Sequence, residues 1–179
     1  MNKRITMTNN ELKLINNTVE MLISNNFNKQ ISQEKYNEQY NEYYYDLLGK
    51  LAIEKYLDIE FINWAKTTEN IELGSDLNNY GLNIGIINIK FGGYPLVDKN
   101  PNRGNIINYI IDESKIMIKG FANIYLLKLD SYDMFNHSKN PIIKETKTAF
   151  CGIDSLIKFK NVKTLKNISN NPLDKIYIN

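Results

Sequence analysis

Two stretches near the N-terminus repeat their apolar residues with a helical period. In residues 8–26, TNNELKLINNTVEMLISNN, Leu12, Leu14, Ile15, Val19, Leu22 and Ile23 recur every few positions, the signature of a helix with one buried face. Thr8 or Asn9 supplies an N-cap, and the pair Asn25–Asn26 a stop. Residues 31–57, ISQEKYNEQYNEYYYDLLGKLAIEKYL, carry a second and broader stripe through Tyr40, Tyr44, Leu47, Leu48, Leu51 and Ala52 or Ile53. Ser32 is a suitable N-cap, although Lys35 stands where a full capping box would place an acid. Gly49 interrupts this helix at a cost of about 1 kcal/mol relative to alanine, which predicts a close approach by another backbone. The tyrosine-rich turn reads as core and boundary packing.

Beyond Asp58 the pattern changes. IEFINWAK (59–66) is short and β-like, TTENIELGSD (67–76) is rich in turn formers, and LNIGIINIKF (82–91) predicts a strand. GGYPLVDKNPNRG (92–104) reads as a loop. NIINYIIDESKIMIKGFANIYLLKLD (105–130) holds one or two strands. The clearest is ANIYLLKLD, whose nearly continuous apolar run predicts a central strand covered on both faces. NHSKNP is a loop, GIDSLIKFKNVKTLKN opens with a short helix capped at Asp154, and DKIYIN is an edge strand. This order predicts an α+β or three-layer α/β plan with a mixed sheet, not a βα repeat. No repeat, linker or composition break divides residues 1–179, so a single domain is expected, large enough to bury a core without disulfides.

Composition narrows the classes. The lone Cys151 gives neither an intrachain disulfide nor a CxxC framework, which fits a reducing compartment or indifference to redox. The N-terminus lacks an apolar leader core, and runs such as GIINI and IYLL fall far short of the roughly 18 residues of a membrane span. A cytoplasmic protein with no membrane partner is therefore expected. The net charge of +2, from 22 basic and 20 acidic residues, does not advertise a nucleic-acid binder, although residues 139–175 lean basic. The 28 Asn and 26 Ile track AT-rich codons, which points to a low-GC bacterium or one of its viruses and lowers the information in any single Asn. With His137 the only histidine, HNH, HD and zinc-hydrolase chemistry is closed. Nothing orients Cys151 and His137 as a nucleophile–base pair. The absence of GxxxxGK[ST] and GxGxxG leaves nucleotide-fuelled and Rossmann chemistry without support.

One constellation carries chemistry. In GSDLNNYGLNIGIINIKFGG (74–93), Asp76 precedes an apolar strand that ends at Lys90. Residues 88 and 90 share a strand face because side chains alternate with period two, and a hairpin return through NNYG brings Asp76 to the same end of the sheet. Aspartate is a hard-oxygen ligand suited to Mg²⁺, and lysine orients a water or offsets phosphate charge. After Lys90, Gly93 permits close approach of a phosphate backbone, Tyr94 offers a stacking surface, and Arg103 a contact to phosphate or guanine.

A core helix, then Asp76, eleven intervening residues and Asn88-Ile89-Lys90 at a strand end resembles the PD-(D/E)XK nuclease superfamily, over roughly residues 34–130. The resemblance implies a restriction-endonuclease-like αβββαβ core (about residues 31–130), with an extra N-terminal helix and a variable C-terminal part, 131–179. It implies a Mg²⁺- or Mn²⁺-dependent DNA endonuclease of phage, restriction or mobile-element type. Asp76 would be the main metal ligand, Asn88 a weaker one replacing the usual acid, and Lys90 the water-activating residue. Such proteins often add a helix acid, here Glu54, within a GKLAIE segment similar to that of many phage-type members, or Asp46. A homodimer is implied if both duplex strands are cut. The alternative implied by Asn88 is a catalytically inactive binding or inhibitory protein on the same scaffold.

Overall fold

The computed structural model describes residues 3–26, 32–71, 77–90, 92–132 and 146–170. After a short strand β1 (Lys3–Thr6) come helices α1 (Asn9–Asn26) and α2 (Gln33–Leu57), both capped as their sequences predict. Thr8 accepts from Glu11 N while its own N–H donates to Glu11 Oε2 at 2.6 Å, a reciprocal capping box. Ser32 accepts from Lys35 N. α2 stops at Asp58, which takes a left-handed conformation and donates its N–H to Glu54 O.

The next segment corrects the β-like reading of IEFINWAK. Asn63 caps a one-turn helix α3 (Trp64–Thr67) by accepting from Lys66 N, so a local side-chain cap overrides the alternation. A 3₁₀ turn at Leu77–Tyr80 leads to β2 (Ile84–Lys90), then β3 (Leu96–Asp98), β4 (Gly104–Asp112) and β5 (Lys115–Ala122). The run ANIYLLKL is not a strand. Asn123 accepts from Leu126 N and starts helix α4 (Ile124–Leu129), and a short apolar run does not by itself separate a buried strand from a buried helix. β6 (Ser131–Tyr132), β7 (Lys147–Phe150), a 3₁₀ turn (Ile153–Ser155) and α5 (Val162–Asn170) complete the described chain. Asp154 lies within that 3₁₀ turn, and the cap of the later helix is Asn161, whose Oδ1 accepts from Thr164 N at 2.9 Å. The expected edge strand DKIYIN and the NHSKNP loop with His137 lie outside the described residues.

The architecture is α+β around a mixed four-stranded sheet ordered β1-β5-β4-β2, with β2 parallel to β4 and the other pairs antiparallel. Thus β2 finds its partner across an intervening loop and strand rather than in a local hairpin. One face buries Ile84, Ile106, Ile110, Ile116 and Ile118 against α1 and α2. The other buries Ile107 and Ala122 against α4 and the small sheet β3-β7-β6 through Leu126, Leu127, Val97 and Phe150. The sheet is therefore sandwiched between two layers. The even-numbered residues of β2 face α2, and that parity sends Asn88 and Lys90 to the same side. Among the described residues no helix is long and apolar enough to cross a membrane.

Candidate functional site

A cleft of about 890 Å³ opens where the polar edge of α2 meets β2 and the turn before it. From α2 it takes Glu42, Tyr43, Tyr45, Asp46 and Lys50. Leu77, Asn78 and Asn83 come from the turn segment, Asn88 and Lys90 from β2, and Arg103 from the approach to β4. On α2, Tyr43, Asp46 and Lys50 follow i, i+3, i+7 spacing, so they form one stripe beside the buried Leu47 and Leu51. Arg103 reaches the cleft beside Gly85. A Cβ at Gly85 would lie 2.1 Å from Asn105 Oδ1 and 3.4 Å from Arg103 Nε, so the absence of a side chain there makes room for both.

Three cations face two carboxylates. Asp46 pairs with Lys50 at 2.7 Å within α2, and Lys50 also donates to Ile71 O at 3.4 Å. The Lys90 ammonium lies 5.8 Å from the centre of the Tyr45 ring, within cation–π range. Burial, followed by the charge of Glu42, pushes the Tyr43 hydroxyl pKa up. Just past Lys90, the Gly93 N–H donates to Lys90 O at 3.0 Å and closes a turn. Tyr94 stands exposed after it and does not line the cleft.

Asn88 has a specific packing role. The side chain of Asn108, fully buried at its register position on β4, donates Nδ2 to Asn88 Oδ1 at 3.0 Å. The Asn88 amide lies over Gly49 of α2, so closely that a Cβ on that glycine would fall 1.9 Å from Oδ1. The close approach expected at Gly49 is real, but the visitor is a side chain rather than a backbone. Asn108 Oδ1 has no hydrogen-bonding partner among the described residues.

Glu54 is engaged elsewhere. It is 8% exposed, and its Oε1 accepts from both Phe61 N and Ile62 N at 2.6 Å. The carboxylate ties down the chain that returns after the left-handed turn at Asp58. Burial raises its pKa, the two backbone hydrogen bonds lower it, and the net shift is upward. Glu54 does not line the cleft.

These placements test whether a divalent cation fits. Glu54 Oε1 accepts from two amides, Asn88 Oδ1 already takes a hydrogen bond while packed on α2, and Asp46 is ion-paired. No group of three or more His, Cys, Asp or Glu side chains arranged to hold a metal occurs among the described residues. Among the described residues, then, no cluster of acidic side chains marks a Mg²⁺ or Mn²⁺ site. Asp76 lies outside the described residues, so its expected meeting with Asn88 and Lys90 lies outside them too. Of the remaining expected site residues, Asn88, Lys90 and Arg103 share the cleft; Glu54, Gly93 and Tyr94 do not line it. Lys50, Tyr43 and Tyr45 were not among the expected site residues, although the stripe that joins Tyr43 and Lys50 to Asp46 was present in the sequence. No family model, curated protein or solved structure matches this chain.

Proposed function

We propose that this chain is a DNA-binding protein on a restriction-endonuclease-like scaffold, and that the cleft between α2 and β2 holds the phosphodiester backbone. The supporting observation is the convergence of Lys50, Lys90 and Arg103, from three separate elements, on one cleft that is also lined by Tyr43 and Tyr45. Cations from several elements suit a charged chain better than a single small anion, and tyrosines add stacking surface. The commitment of Asn88, Glu54 and Asp46 to partners within the protein favours binding over metal-dependent cleavage.

The second reading is a Mg²⁺- or Mn²⁺-dependent DNA endonuclease with Asp76 as main ligand. It is favoured by Leu77, next in the chain to Asp76, lining the same cleft as Asn88 and Lys90. Incubation with supercoiled plasmid and either cation separates the two. Retention on DNA without nicking supports the binding reading. Nicking that disappears in both Asp76→Ala and Lys90→Ala replaces it with the nuclease. Failure to bind or cut DNA at low salt refutes both.

A further inference from the structure

We infer that the DNA this cleft takes is a single strand rather than a duplex, a conclusion that rests on the DNA-binding reading above. The first reason is shape. Sequence-reading proteins enter a duplex by placing a protruding helix or β-ribbon in a major groove about 12 Å wide. Here the cations line a concave cleft of about 890 Å³ rather than a protruding element, so the nucleic acid comes to the cleft. A single strand can do this, because its backbone bends and its bases are free.

The second reason is the pairing of charge with aromatic surface. Tyr45 and Lys90 stand side by side, the ammonium 5.8 Å from the ring centre, and both also line a second cavity of about 780 Å³. The two cavities thus adjoin, with Lys90 and Tyr45 between them. Tyr43, two residues earlier on α2, also lines the first cavity. In a duplex the base faces are covered by their neighbours. Only an unpaired strand offers a base to Tyr43 or Tyr45 while its phosphate meets Lys90, and such stacking tolerates any sequence.

The third reason is polarity along this track. Lys50, Lys90 and Arg103 outnumber Glu42 and Asp46 in the first cavity, whereas Asp112 and Glu113 outnumber Lys90 in the second. Phosphates are favoured in the first and repelled in the second, which limits the bound segment to a few nucleotides. A short contact of this kind suits one strand. A rigid duplex would carry its second row of phosphates across the acidic end.

The test is fluorescence anisotropy with a fluorescein-labelled 12-nucleotide strand and the corresponding duplex, at low salt and with EDTA to suppress cleavage. The single strand should bind at least tenfold more tightly. Tyr43→Leu and Tyr45→Leu should each weaken it about fivefold or more, leaving duplex binding unchanged. Thermal melts identify a variant that has lost its fold, and either tyrosine variant serves if the other does not fold. Equal or tighter duplex binding overturns the inference and leaves the DNA-binding reading standing. Single-strand binding indifferent to both tyrosines also overturns it. Absence of binding to either probe overturns both.

Discussion

Gly49→Ala places a methyl group where the Asn88 amide now sits. The new Cβ would fall 1.9 Å from Oδ1, 2.3 Å from Cγ and 2.4 Å from Nδ2, all far inside van der Waals contact. Asn88 must withdraw, and the 3.0 Å hydrogen bond from Asn108 then breaks. Asn108, fully buried and already holding one unpaired oxygen, loses its remaining side-chain partner at a cost of about 1–3 kcal/mol. Overpacking adds about 1–3 kcal/mol. Against these stands a gain of about 1 kcal/mol from replacing glycine inside a helix. The net expectation is a loss of about 1–5 kcal/mol, measured as a lower urea midpoint at unchanged slope. The same substitution in an Asn88→Ala background meets no amide, so it should be neutral or stabilising, and a double-mutant cycle reads the difference as coupling. If Gly49→Ala stabilises the native chain by the propensity term alone, or costs the same in both backgrounds, the account of this contact is wrong.

Three further outcomes are expected. Lys90→Gln and Arg103→Gln should each lower DNA affinity and reduce the slope of log affinity against log salt by about 0.7 for a single strand; an unchanged slope in both removes them from the backbone contact. Because the folded-state pKa of Glu54 is raised above its ordinary 4.5, the unfolded chain gives up this proton first as pH rises, so the Glu54 contribution to stability is greatest below 4.5 and declines above it. Glu54→Gln should cancel that decline, seen as a wild-type-minus-variant stability difference that falls as pH climbs from 4.5; a difference that rises instead would contradict the burial argument. Finally, Mg²⁺ at ten times a millimolar-range dissociation constant would add about 1.4 kcal/mol to a protein that binds it, or roughly 3–6 °C in melting temperature at this size. The wild-type chain should show no such shift, and a clear one would restore the metal reading of Asn88 and Asp76.

The parts of this fold that were legible in sequence are those decided locally. α1 and α2 announced themselves by a helical apolar period bounded by Thr8 and Ser32, and β2 by a β-branched run that stops at a lysine. The misread elements are those where a polar cap outweighs the apolar pattern. Asn63 and Asn123 each turn an apparent strand into a helix by accepting one backbone N–H, and in a chain so rich in asparagine such caps do not stand out. The parallel pairing of β2 with β4 depends on residues twenty apart and has no local signature. The site divides the same way. Asn88 and Lys90 on one face follow from strand periodicity, and Lys50 with Asp46 from helical spacing. The engagement of Glu54 depends on the left-handed turn at Asp58, which returns Phe61 and Ile62 over its carboxylate, and no pattern in GKLAIE encodes that turn.

Position 88 connects the core to the cleft through strand register. Along β2 and β4 the residues facing α2 are Ile84, Ile86, Asn88 and Lys90 opposite Gly104, Ile106, Asn108 and Ile110. A one-residue slip would reverse every side chain, and the apolar pattern alone forbids it. A two-residue slip preserves the buried face and exchanges one isoleucine for another, so hydrophobicity scarcely resists it. The asparagines do resist it: one direction sets Asn88 against Ile110 and Asn108 against Ile86, the other sets Asn88 against Ile106 and Asn108 against Lys90, and either forfeits the mutual hydrogen bond of the buried Asn108 at about 1–3 kcal/mol. The pair therefore specifies one register among those the isoleucines permit, and Gly49 admits the amide that completes it. The same register carries Lys90 to the mouth of the cleft, beside Tyr45. A carboxylate at 88 could accept the same Asn108 N–H, but it would carry a charge into the space over Gly49. On this geometry the neutral amide at 88 is the residue that aligns β2 beneath α2, and the exposed cation two residues later depends on it.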